Sequence, residues 1–208
     1  MDKQIKGIFI TIDGPNASGK TSLAEILSIR LEMQGVRVVL TKQPSASILG
    51  KFVRDAEAFC KGQAYAHLIA ADRYWHIEQE VLPALNEGKV VVCARYVESS
   101  LVLQRLDGLQ MELIWEINRN VLVPDLSVIL RVPARVLATR LKERLSRSRF
   151  EKEHDRHAEV QLYEDSATFL SVRGFNVMSL ENAESSLDEN ANLLLPLISD
   201  LIQSKEHI

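Results

Sequence analysis

Apolar residues arrive in short runs separated by longer stretches of helical period. Ile8-Phe9-Ile10-Thr11-Ile12 comes first, then a stripe of Leu23, Ile26, Leu27 and Leu31, then Val36-Arg37-Val38-Val39-Leu40. This alternation predicts βα units feeding a parallel sheet covered by helices on both faces. Five strands are expected, at residues 7–12, 36–40, 89–93, 126–132 and 175–180. A helix over 20–34 ends at Gly35, and one over 47–61 repeats Ile48, Leu49, Phe52, Val53, Ala56 and Phe59 at helical spacing. A long helix over 65–87 should kink at Pro83 and stop at Gly88. Further helices are expected near 107–120, at 133–145 with Pro133 in the first turn, at 155–173 and at 187–204. Trp75 and Trp115 fall in apolar helical stripes and are expected to pack in the core.

Bulk properties narrow the picture. At 208 residues with 46% hydrophobic content, the chain fits a single domain over 1–208 with a substantial core. A net charge of -3 argues against a surface built for nucleic-acid phosphates or anionic lipid. No apolar stretch approaches the roughly 18 residues that a membrane span needs, and the polar opening Met1-Asp2-Lys3-Gln4-Ile5-Lys6 reads as no signal segment, so a cytoplasmic protein is expected. Cys60 and Cys93 match no metal spacing, and His67, His76, His154 and His157 complete no ligand or relay pattern.

Between the first apolar run and the first helix lies Gly14-Pro15-Asn16-Ala17-Ser18-Gly19-Lys20-Thr21, a full GxxxxGK[ST] match. Glycines let successive backbone N–H groups point into one concavity, lysine brings a cation to the outer phosphates, and the threonine hydroxyl can ligate Mg2+. Triphosphate binding follows, with ATP and Mg2+ as expected cofactors. The sequences DxxG and NKxD are absent, which excludes a GTPase switch, and no carboxylate closes the third or fourth apolar run as in many ATPases. Arg135, Arg140, Lys142, Arg144, Arg147, Arg149 and Lys152 instead form a dense basic segment, with 140, 144 and 147 on one helical face. A mobile lid over about 141–156 would bring such cations to a migrating phosphoryl group and exclude water. Arg95, with Ser99, Ser100 and Gln104 after it, follows strand three at the carboxyl edge of the sheet, where open α/β folds bind ligands.

These segments, in this order, resemble the thymidylate kinases of the nucleoside monophosphate kinase group. Ile12-Asp13-Gly14 through Thr21 is similar to the family's phosphate loop, Thr41-Lys42-Gln43-Pro44 to its TREP turn, and Ala70-Ala71-Asp72-Arg73 to its ADR helix. Ala94-Arg95-Tyr96 with Ser99-Ser100 resembles DRY and a serine pair, Pro124-Asp125-Leu126 its PDL, and Arg149-Phe150-Glu151 the RFE of its lid. The resemblance implies an α/β, three-layer P-loop kinase fold with a basic lid, working as a homodimer. It also implies transfer of the ATP γ-phosphoryl group to a deoxynucleoside monophosphate. Lys20, Arg95, Arg147 and Arg149 would then be catalytic, and Thr21 would hold the metal; Asp13, from its place at the end of strand one, is a further catalytic and metal-ligand candidate. Gly14, Asn16, Ala17, Ser18, Gly19, Lys20, Thr21, Arg140 and Arg144 would bind ATP. Asn16, Lys42, Pro44, Ile69, Arg73, Arg95, Ser99, Ser100 and Gln104 would bind the acceptor.

Departures from the pattern concentrate on the acceptor side. Ile69 and Leu103 stand for aromatic residues, Lys42 for arginine, Ala94 for aspartate, Asn16 for an acid, Gln43 for glutamate, and Arg131 for a strand-four acid. Two other readings therefore remain open: a kinase of hydroxyl acceptors with Asp13 as base, and a nucleotide-binding regulatory protein without turnover.

Overall fold

A computed structural model describes residues 5–143, 148–183 and 187–206. Five parallel strands, β1 (Ile8–Asp13), β2 (Val38–Lys42), β3 (Val90–Ala94), β4 (Leu126–Arg131) and β5 (Val177–Glu181), form one sheet in the order β2-β3-β1-β4-β5. The strands expected from apolar runs are the ones found, with boundaries shifted by one or two residues. β1 sits at the centre because all six of its residues are buried. Its alternation sorts the core: Ile8, Ile10 and Ile12 pack with Leu23, Leu27, Leu31, Leu194 and Ile198, while Phe9 packs with Val91, Tyr96, Leu101 and Ile114. The same period sends Thr11 and Asp13 to the second face.

The first face is covered by α1 (Lys20–Met33) and α10 (Leu187–Glu206). α2 (Ile48–Ala56) is capped by Ser47, whose hydroxyl accepts from the Gly50 amide, and it stops earlier than its apolar spacing suggested. α3 (Gly62–His76) runs through a π-helical turn, Ile77–Val81, into α4 (Leu82–Asn86), so the long helix is present and its irregularity lies just before Pro83. α5 (Val97–Leu106) and α6 (Met111–Asn118) replace the single helix expected near 107–120, with Gly108 at φ 89 in the break between them. Residues 97–102 of α5 are all buried, so it carries no polar stripe for a period to reveal.

α7 (Ala134–Lys142) and α9 (Arg156–Ser171) flank the short α8 (Arg149–Glu153), which Ser148 and Glu151 open as a capping box. Trp75 is 49% exposed rather than core, whereas Trp115 packs edge-on against Phe169 and Phe175. No helix of the described residues is long and apolar enough to cross a membrane.

Candidate active site

The turn after β1 is a cradle by construction. Gly14 has φ 146, and a Cβ there would lie 2.9 Å from both the Leu130 carbonyl and Ser18 Oγ. Gly19, at φ 92, opens α1, and a Cβ there would meet the Asn182 amide at 2.9 Å. Backbone amides therefore converge where a side chain has no room, at the positive end of a helix. Lys20 Nζ donates to the Pro15 carbonyl at 3.0 Å, folding the ammonium back over the loop. Ser18 Oγ is buried and without a hydrogen-bond partner among the described residues. Arg140 braces the loop from outside, donating to the Ala17 and Asn182 carbonyls at 3.3 and 3.1 Å. These residues fit a polyphosphate, and the exposed hydroxyl of Thr21 fits a hard cation beside it.

A cavity of 330 Å³ opens next to this loop. Of the residues expected to bind the acceptor, Asn16, Pro44, Ile69, Arg73, Arg95, Ser99, Ser100 and Gln104 line it. Lys42 does not: it is exposed at the end of β2 and lines a separate depression with Thr21, Glu80 and Ala94. Arg95 adopts φ 68, a costly conformation for a residue with a Cβ, and so turns its guanidinium toward the phosphate loop. There it donates to Asn16 Oδ1 at 2.6 Å and Ser99 Oγ at 3.2 Å. Asn16 is held from the other side by Glu159, whose Oε1 accepts from its backbone and side-chain N–H groups at 2.8 and 3.0 Å.

Away from the loop the cavity wall carries an apolar cluster. Tyr65 and Phe150 pack in one cluster with Ile69 and Leu103 beside them, so rings from the start of α3 and from α8 stand where positions 69 and 103 lack them. Gln104 lies about 7.5 Å beyond Ser99 along α5, from a rise of about 1.5 Å per residue. Its Oε1 is buried with no partner among the described residues, an orphaned acceptor in the cavity wall. The cavity is thus cationic toward the phosphate loop and flat-sided and hydrogen-bonding at its far end.

Asp13, expected as a catalytic group and metal ligand, is fully engaged within the protein. Its carboxylate is fully buried and accepts from Gly14 N, Tyr96 N, Ser99 N, Ser99 Oγ and Tyr163 Oη at 2.8 to 3.1 Å. Both oxygens are engaged by these five donors, so the carboxylate ties the phosphate loop to α5 and α9. Nearby, Glu98 is buried with Oε1 accepting from Thr11 and Ser127 and Oε2 unpartnered among the described residues. Burial and the adjacent Asp13 charge push its pKa up to about 7.

Arg149 likewise does not face the cavity. Its guanidinium grips Asp107 with both nitrogens, at 2.5 and 2.8 Å, while Nε donates to the Glu57 carbonyl. It pins α8 to α5 and α2, and its side chain is only 7% exposed. Arg144 and Arg147 lie outside the described residues.

Sequence reasoning missed Tyr65, Glu98, Glu159 and Tyr163, and it named Phe150 only as part of Arg149-Phe150-Glu151, with no role in the cavity. The first four sit in no motif, and each joins the site only because its helix packs there.

A family model described as thymidylate kinase matches residues 12–174. The chain belongs to the thymidylate kinase family. It is 34% identical over 194 residues to a probable thymidylate kinase of Pyrococcus abyssi, covering 89% of this chain and 92% of the relative. It is 35% identical over 203 residues to a probable thymidylate kinase of Pyrococcus horikoshii, covering 93% and 97%. It is also 35% identical over 143 residues to a thymidylate kinase of Orientia tsutsugamushi, covering 66% of each. This member of the thymidylate kinase family is an enzyme, a thymidylate kinase-like phosphotransferase. That sets aside the reading as a regulatory protein without turnover.

Proposed function

We propose that the enzyme transfers the γ-phosphoryl group of Mg-ATP to the 5'-phosphate of a pyrimidine deoxynucleoside monophosphate, dTMP first among them. The observation that carries this reading is the two-ended cavity, with Arg95 beside the phosphate loop and, beside the apolar cluster, Gln104 Oε1 without a partner among the described residues. An acceptor phosphate at Arg95 lies next to the donor loop, while a base at Gln104 finds a carbonyl for its ring N–H and apolar faces from Phe150, Ile69 and Leu103. A monophosphate oxygen is already anionic and needs no base, which agrees with an Asp13 engaged within the protein.

Within this reading, the loop amides and Lys20 orient the donor phosphates, and Arg95 holds the acceptor phosphate and offsets its charge against the incoming group. The Thr21 hydroxyl would help to hold Mg2+, which would supply charge neutralisation at the donor phosphates. The test is a coupled ADP-release assay across dTMP, dUMP, dCMP, purine monophosphates and nucleosides. dTMP or a pyrimidine relative is expected to show the highest kcat/KM. Turnover of nucleosides with none of monophosphates would reject the proposal in favour of a hydroxyl acceptor.

We also infer a homodimer. Ile48, Phe52, Phe59 and Trp75 are exposed large apolar side chains on α2, on the turn after it and on α3, surface that a second copy would cover. Light scattering on the purified protein should give twice the chain mass, and a monomer at all concentrations would contradict it.

A further inference from the structure

Arg73 enters the acceptor cavity almost without exposure, at 1%, and every group that holds it directly is neutral. Nε donates to Gln43 Oε1 at 2.8 Å, Nη1 to Asn118 Oδ1, and Nη2 to the Tyr96 carbonyl and Ser100 Oγ at 3.0 and 2.8 Å. A guanidinium carries only donors in a rigid plane, so each partner must present an oxygen. The Tyr96 carbonyl is backbone, the Ser100 hydroxyl can rotate, and the Asn118 amide is oriented by its own N–H donation to the Ile114 carbonyl at 2.7 Å. That leaves Gln43, whose amide could be turned either way.

His76 decides it. Its Nδ1 lies 3.2 Å from the Gln43 amide nitrogen, and its Nε2 lies 2.8 Å from Thr41 Oγ1, with the Glu80 carboxylate at 3.4 Å. Because Arg73 Nε can only donate, the Gln43 atom facing it is the oxygen, and the amide NH2 faces His76. Two donors cannot face each other, so Nδ1 must be the acceptor and the ring proton must sit on Nε2. The tautomer follows from the donor-only arginine.

We propose that His76 is a positioning residue for acceptor binding: its neutral Nε2–H tautomer holds the Gln43 amide in the one orientation that gives Arg73 an oxygen. The proposal rests on reading the cavity as the acceptor site. A proton added at Nδ1 would point at the Gln43 NH2 and force the amide to turn. The NH2 would then face Arg73 Nε–H, and a buried guanidinium would lose an acceptor.

The charged groups around His76 are Glu80 on the π-helical turn and Asp72 and Arg73 on α3, while β2 and the turn after it contribute the neutral Thr41 and Gln43. The two carboxylates favour the imidazolium. Burial, the larger influence, and Arg73 oppose it, holding the pKa below the usual histidine value. The neutral form therefore prevails at neutral pH and gives way only as pH falls.

Nitrogen-15 NMR of histidine-labelled protein should show His76 protonated at Nε2 and bare at Nδ1 at neutral pH, and the opposite tautomer would overturn the proposal. In steady-state kinetics, H76L is expected to raise the acceptor KM about tenfold while kcat and the ATP KM change less than about threefold. The wild-type acceptor KM should climb as pH falls through the His76 titration. Q43E, whose carboxylate offers Arg73 an oxygen in either orientation and favours the imidazolium, should lose that climb and move the titration upward. The H76L/Q43E double variant should recover most of the loss of H76L. An acceptor KM indifferent to His76, or a low-pH climb retained in Q43E, would overturn the proposal, and those pH profiles stand even if H76L does not fold. Failure of the acceptor-site reading looks different: calorimetry would then show no dTMP binding by the wild type at any pH.

Discussion

Replacement of Lys20 by methionine leaves a folded protein that transfers phosphate about two to three orders of magnitude more slowly. Lys20 is the first residue of α1, 5% exposed, with its ammonium drawn over the phosphate loop by the Pro15 carbonyl. The cation is therefore set in place before any nucleotide arrives and pays no reorganisation during transfer. Phosphoryl transfer forms little covalent structure with the protein, and its barrier responds mainly to charge and alignment. Removing one preorganised donor from a water-poor site typically costs about 10²–10³ in rate. Methionine keeps the length and apolar stem of the side chain, so the packing against the loop survives. A coupled ADP-release assay paired with a thermal melt checks both halves: the rate should collapse while Tm moves by only a few degrees, about what a 1 kcal/mol change produces in a chain of this size. Wild-type turnover in the variant would refute the placement of donor phosphates at this loop.

Asp13→Ala should fail for the opposite reason. Five donors converge on its carboxylate from β1's own turn, from both ends of the β3–α5 connection and from α9. Alanine leaves them buried, and each unsatisfied group costs about 1–3 kcal/mol, so several together should remove about 4 kcal/mol or more of stability. A drop in Tm of about 10 °C or more is expected, at roughly 2–4 °C per kcal/mol. Differential scanning calorimetry settles it. A variant with wild-type Tm and no activity would show that the carboxylate acts on the substrate instead, as a base would. The consequence for kinetics is that lost activity in an Asp13 variant does not by itself identify a hydroxyl acceptor.

The strands, most helices and the phosphate loop were legible because they obey local rules. β1 reads as a strand because six consecutive buried residues need no partner to be recognised, and Gly14 through Thr21 reads as a cradle because glycine spacing and the lysine are contiguous. Eight of the nine residues expected to bind the acceptor line the cavity. Asn16, Pro44, Arg95, Ser99, Ser100 and Gln104 do so because they follow strand ends that the sheet brings to one edge, and Ile69 and Arg73 because α3 packs beside that edge. Lys42 is the exception, since it ends β2 and faces another depression. α5 escaped because a helix buried along 97–102 has no amphipathic period, and Arg149 was assigned to phosphate because nothing local announces that Asp107, 42 residues away, claims it.

What the chain determined by itself is its class: parallel α/β, a loop shaped for polyphosphate, and an arginine-bearing edge beside it. These follow from periodicity and from contiguous residues, whose interactions the backbone dictates at short range. Only the tertiary structure decided that Asp13 ties the phosphate loop to α5 and α9, that Arg149 is a pin, that rings from Tyr65 and Phe150 flank the cavity, and that His76 orients Gln43 toward Arg73. Each of those assignments depends on which hydrogen-bond partner or packing surface lies nearest in space. Hydrogen-bond donors and acceptors are claimed by proximity, and for residues 30 to 150 positions apart that proximity exists only once the helices have docked on the sheet.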